Sequence, residues 1–133
     1  TVLRVADWYG LKKIVCSEST ADFYNPKVLA ASMGSFTRVA AWYGPLDDYL
    51  RRHERWPVFG TFLDGQNLHE TVFPNAGLLV IGNESRGIGA AVEPFVSQKI
   101  TIPRFGGAES LNAGIATAVV LDNLSRNRRV VGV

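Results

Sequence analysis

Between Leu111 and Leu124 the apolar residues Ala113, Ile115, Ala116, Ala118, Val119, Val120 and Leu121 fall on almost every face of a helix, and only Asn112, Asp122 and Asn123 are strongly polar. A helix that is apolar all round must be buried all round. In a chain of 133 residues that demands either a partner subunit or an unusual internal wrapping of the polypeptide. Many of these side chains are small, which suits close approach to a ligand or to another helix.

The rest of the chain alternates strand and helix signals. Val2, Val5, Ala6 and Tyr9 share a helical face that Gly10 stops, and because the chain opens at Thr1 inside this helix it reads as part of a longer polypeptide. Ile14 to Cys16 is strand-like. Asn25-Pro26 supplies an N-cap followed by proline at the first helical position, and Gly34 closes that helix. Arg38 to Trp42 is a short strand; Pro45 opens a helix with Asp47 and Asp48 in its first turn, completed by Arg51, Arg52 and Arg55. A third strand, Val58 to Leu63, ends at Asp64-Gly65, and Gly77 to Ile81 gives a fourth. Ala90 to Gln98 reads as helical, Ile100 to Ile102 as a fifth strand, and the last helix as starting near Ser110. Strands separated by short helices imply βαβ units. The expected class is therefore α/β, a mostly parallel sheet with helices on both faces.

Composition narrows the functional classes. With 47% hydrophobic and 20% charged residues, the chain fits one soluble domain with a real core. No apolar stretch approaches the ~18 residues needed to span a bilayer, and no signal pattern is present, so a cytoplasmic protein is expected. The single cysteine, Cys16, lies in an apolar run and reads as a buried strand thiol. Only two histidines, His53 and His69, are present, and their spacing suits no zinc site, so no metal is expected. A formal charge of +2 is compatible with a polyanionic partner without requiring one. The arginine groups 51, 52, 55 and 126, 128, 129 each end a helical pattern, where cations also complement the helix dipole.

Two loops look built for a ligand. Ile81-Gly82-Asn83-Glu84-Ser85-Arg86-Gly87 and the run from Ile102 to Ser110-Leu111-Asn112 each follow a buried-strand pattern. Each thus leaves the carboxyl edge of a sheet, where open α/β folds bind their ligands. A nucleophile elbow at Ser85 would need a histidine after the serine, whereas both histidines precede it. A dinucleotide fold would need a complete Gly-x-Gly-x-x-Gly turn, which neither Gly87-Ile88-Gly89 nor Phe105-Gly106-Gly107 supplies.

Gly82-Asn83-Glu84-Ser85-Arg86-Gly87-Ile88, Ile102-Pro103 followed by Ser110-Leu111-Asn112 and an alanine-rich helix, and Arg4-Val5-Ala6-Asp7 with Gly10 together resemble the SpoU or TrmH-like branch of the SPOUT RNA methyltransferases. The segment Asn25-Pro26-Lys27 through Ala31-Ser32-Met33-Gly34-Ser35 resembles a connector typical of the same enzymes. The resemblance spans nearly the whole chain. It implies a catalytic domain over residues 1–133 that lacks the N-terminal strand and the start of the first motif, including that motif's asparagine.

It also implies a C-terminal trefoil knot, which would explain the apolar last helix, a homodimer, and S-adenosylmethionine as cofactor. The implied activity is 2′-O-methylation of ribose in a tRNA or rRNA nucleotide; the alternative is a non-catalytic RNA-binding module of the same fold. By the same resemblance, main-chain groups at Leu63 to Gly65, Gly82, Ile102 and Leu111 cradle the cofactor. Arg4, Glu84, Ser110 and Asn112 form the catalytic set. Arg4 is expected to grip phosphate and stabilise a developing alkoxide. Ser110 and Asn112 sit in the first turn of the last helix with Ser110 as N-cap, and Glu84 anchors neighbouring backbone or the arginine.

Overall fold

The computed structural model describes residues 1–17, 34, 37–82 and 86–126. Helix α1, Val2–Trp8, ends where expected. Gly10 takes a left-handed φ of 76°, its N–H donates to Asp7 O, and Leu11 N–H donates to Ala6 O. That pair of bonds is a Schellman cap, and it is why a glycine stands there. Strand β1, Lys13–Cys16, follows directly. The helix expected between Asn25 and Gly34 lies outside the described residues, apart from Gly34 itself.

Strand β2, Ala40–Tyr43, pairs in parallel with β1 in the register Ile14 to Ala41 and Val15 to Trp42. Helix α2, Leu46–Arg52, starts after Pro45 with Asp47 and Asp48 in its first turn. It is shorter than its arginines suggested. His53 caps it, and Arg55 lies beyond in a turn, so only Arg51 and Arg52 face the helix C-terminus.

Strand β3, Val58–Asn67, does not stop at Asp64-Gly65. It pairs in parallel with β4, Leu78–Val80, and with β5, Gln98–Thr101, and Ile100 is the partner of both Thr61 and Gln66. Residues 62–65 therefore bulge out of the ladder before pairing resumes. Gly65 makes the return possible, because a Cβ there would lie 2.8 Å from the Lys99 carbonyl. The expected helix from Ala90 to Gln98 is replaced by one 3-10 turn, Glu93–Phe95. Pro94 would fall mid-helix, where its missing N–H and its ring break the ladder.

The strands do not form one sheet. They form a two-stranded sheet β1-β2 and a three-stranded sheet in the order β4-β3-β5, each parallel throughout. Two helices join them. Leu3 and Ala6 of α1 pack with Val39, Ile14 and Ala41 over the first sheet. Val119 and Val120 of α3, Ala113–Ser125, pack with Phe59, Leu68, Ile100 and Ile102 over the second.

The pair runs in parallel. Thr1 meets Gly114 at one end, and the Tyr9 hydroxyl donates to Asp122 at the other. Burial of α3 on all sides is not found: Gly114, Thr117, Val120 and Leu121 are buried, but Ile115 is 53% exposed.

Candidate active site

Parallel pairing fixes where the loops emerge. Because β3, β4 and β5 point the same way, the segments after Val80 and Thr101 and the bulge at residues 62–65 gather at one sheet edge. Thr101, which sequence reasoning missed, ties two of them: its hydroxyl donates to Leu63 O at 3.2 Å. Leu63 is exposed at this edge and Ile102 half-buried beside it. The loop from Ile102 to Asn112 then returns to α3.

At the start of α3 the structure corrects the expected cap. Ser110 is exposed and precedes the helix by three positions; Asn112 is the N-cap. Its Oδ1 accepts from Gly114 N–H at 2.8 Å and Ile115 N–H at 3.3 Å, satisfying donors that the helix leaves unpaired. Leu111 stands exposed immediately before it.

Arg4 reaches this end of the molecule through packing. A Cβ on Gly114 would lie 2.5 Å from Thr1 Cγ2, so the absence of a side chain lets the first turn of α1 rest on the first turn of α3. Arg4 is exposed there and lines a shallow concavity with Thr1, Val5 and Trp8. The helix that carries it is clamped from behind, since Arg38 makes a two-pronged ion pair with Asp7, with Nε at 2.9 Å from Oδ1. Asp7 lay within the quoted motif, but nothing in the sequence paired it with Arg38.

Gly82 is required by its own loop. A Cβ there would collide with Gly87 and lie 2.5 Å from Ile88 N, so the chain folds back on itself at that position. Glu84, with Asn83 and Ser85, lies outside the described residues. Two concavities among the described residues are the Arg4 groove and a cleft between residues 71–75 and the end of α3; Leu63, Gly82, Ile102 and Leu111 line neither. Cys16 is half-buried in β1, not enclosed as its apolar run suggested, and burial pushes its thiol pKa up. Among the described residues no cluster of three or more His, Cys, Asp or Glu could hold a metal.

Residues 1–122 match the SpoU rRNA Methylase family. The chain belongs to that family. This SpoU chain is 32% identical over 93% of its length to the 23S rRNA (guanosine(2553)-2'-O)-methyltransferase RlmP of Bacillus subtilis, covering 51% of that protein. The SpoU methyltransferase AviRb of Streptomyces viridochromogenes, solved in complex with AdoMet, superimposes with a TM-score of 0.83 at 31% identity, over 96% of this chain and 54% of that one. An AdoMet-bound rRNA methyltransferase from Sinorhizobium meliloti gives a TM-score of 0.89 at 26% identity, over 98% and 51% of the two chains. The SpoU chain thus spans about half the length of the relatives it matches. Its α/β architecture is theirs, and no helix among its described residues is long and apolar enough to cross a membrane.

Proposed function

We propose that this chain is the catalytic domain of an RNA 2′-O-ribose methyltransferase that uses S-adenosylmethionine and acts on tRNA or rRNA. One observation carries the reading: the Thr1 to Gly114 contact brings the arginine-bearing turn of α1 against the Asn112-capped start of α3. The loops named by the family resemblance leave the neighbouring sheet edge. The relatives include 2′-O-methyltransferases of rRNA and proteins solved with AdoMet bound.

The cofactor is assigned to this edge. Leu63 and Leu111 offer exposed apolar surface beside main-chain groups, Ile102 is half-buried against the core beside them, and Thr101 fixes the first of these loops. When bound, S-adenosylmethionine supplies a methyl group on a sulfonium, already activated for displacement. What remains for the protein is alignment and management of one proton. Main-chain groups at Leu63 to Gly65, Gly82, Ile102 and Leu111 would hold the cofactor, whose sulfonium methyl would be offered to the ribose hydroxyl.

Arg4 grips the adjacent phosphate and stabilises the alkoxide as it forms; a guanidinium is a donor with no lone pair to offer and does not serve as the base. Ser110 and Asn112 orient the nucleotide, and Glu84 anchors its loop or the arginine. The exposed apolar side chains Trp8, Leu111 and Ile115 support a homodimer built on α1 and α3. Family membership supports the C-terminal trefoil knot and a cytoplasmic setting.

Calorimetry with S-adenosylmethionine and with its demethylated product, followed by transfer of labelled methyl to tRNA and rRNA, tests the reading. Binding of both nucleosides and label on a ribose are expected. RNA binding without either would make the chain a non-catalytic RNA-binding module.

A further inference from the structure

Phe105 is 93% exposed, more than any other large apolar side chain among the described residues. It sits in the first half of the loop that joins Ile102 to Asn112, between a segment assigned to the cofactor and one assigned to the nucleotide. The loop has a built shape. The Arg104 guanidinium donates to Ala108 O at 3.1 Å, closing residues 104–108 into a small turn that holds Phe105 at its outer corner.

The following glycines say more. A Cβ on Gly106 or Gly107 would meet nothing within 4 Å, and neither is among the glycines with positive φ. The fold itself demands glycine at neither position, so the bare backbone next to the ring leaves room for something outside the chain.

We infer that Phe105 stacks on a nucleobase of the RNA strand beside the target ribose, with Gly106 and Gly107 admitting the sugar and phosphate. This rests on RNA being the partner. A planar apolar ring standing in water is the feature by which proteins hold splayed single-stranded bases, because every base offers a π-face. Arg104, exposed at the root of the same turn, adds positive charge for the strand.

The test uses the full-length enzyme and an RNA carrying a fluorescent purine analogue near the methylated ribose. Phe105→Ala and Phe105→Leu should each lower kcat/KM for RNA by roughly 5- to 150-fold, the range that loss of one stacked base produces. The effect should fall in KM, with affinity for the demethylated cofactor product unchanged. Phe105→Trp should restore wild-type KM, and quenching of the analogue should follow the aromatic variants alone. Leucine performing as well as phenylalanine would overturn the inference. So would a change in molar mass by light scattering, since Phe105 would then be a contact between copies of the chain. If the wild-type enzyme transfers no methyl yet quenches the analogue only with an aromatic at 105, stacking stands and the enzymatic reading falls.

Discussion

The phenol of Tyr9 donates a 3.1 Å hydrogen bond to Asp122, joining residues 113 apart in sequence and fixing the far end of α1 against α3. Desolvation, then the hydrogen bond and charge of Asp122, raise the Tyr9 pKa above its ordinary value of about 10. A raised folded-state pKa gives stability that is complete below the unfolded value and lost as pH climbs through the folded one. Thermal melts of wild type and Tyr9→Phe should therefore differ at about pH 8, with the gap closing above about pH 10. Equal melts at about pH 8 would show that the bond adds nothing, and a gap that stays constant through about pH 10 would show that the Tyr9 pKa is not raised.

Gly114 governs the other end of the same helix pair. Alanine in a helix interior normally gains roughly 0.5–1 kcal/mol over glycine, but here the added Cβ meets Thr1 side-chain atoms at 2.5 and 2.9 Å. Gly114→Val must push α1 away and carry Arg4 with it. Methyl transfer should fall by tenfold or more, about 1.4 kcal/mol in the barrier, while cofactor affinity holds. Unchanged transfer would mean that Arg4 does not act from this position.

Much of this was legible in the sequence. The glycine stop at Gly10, the parallel pairing of the strands and the emergence of the segments after Val80 and Thr101 at one sheet edge follow from local signals that the structure repeats, whereas the division into two sheets does not. Other features depend on partners far away in the chain. Nothing near Asp64-Gly65 announces that β3 re-pairs with Ile100 after a bulge, and Pro94 outweighed the apolar pattern around it. Ser110 and Asn112 are both good caps by type; only the accepted N–H bonds at Gly114 and Ile115 choose between them. The apolar belt of α3 foretold burial, yet Ile115 stays exposed in the single chain.

Arg4→Ala should abolish most transfer, with a loss of about 10²–10³ in kcat as for removal of one group that stabilises developing charge. Binding of S-adenosylmethionine by calorimetry should be nearly intact, because Arg4 lines the α1 concavity and not the sheet edge. Equal loss of binding would move Arg4 out of its assigned role.

Gly82 predicts the reverse pattern. Its missing side chain is filled by backbone of Gly87 and Ile88, which cannot swing aside as a flexible side chain would. Gly82→Val should force the loop open and weaken cofactor binding first, with residual transfer recovering at saturating cofactor. A variant that binds the cofactor normally would show that this loop does not touch it.

Asn112 has two assigned jobs that one pair of substitutions can separate. As N-cap its Oδ1 accepts from two helix N–H groups, so Asn112→Ala should cost about 1 kcal/mol of stability as well as transfer. Asn112→Asp keeps the accepting oxygen and places negative charge at the positive end of the helix, so its stability should match or exceed wild type. Yet aspartate has lost the amide donor and would repel an incoming phosphate. Methyl transfer by Asn112→Asp should therefore fall as far as in the alanine variant, with KM for RNA raised at low salt and climbing less steeply than that of the wild type as salt is added. If the aspartate variant melts with wild type and also transfers methyl at the wild-type rate, Asn112 serves the helix alone.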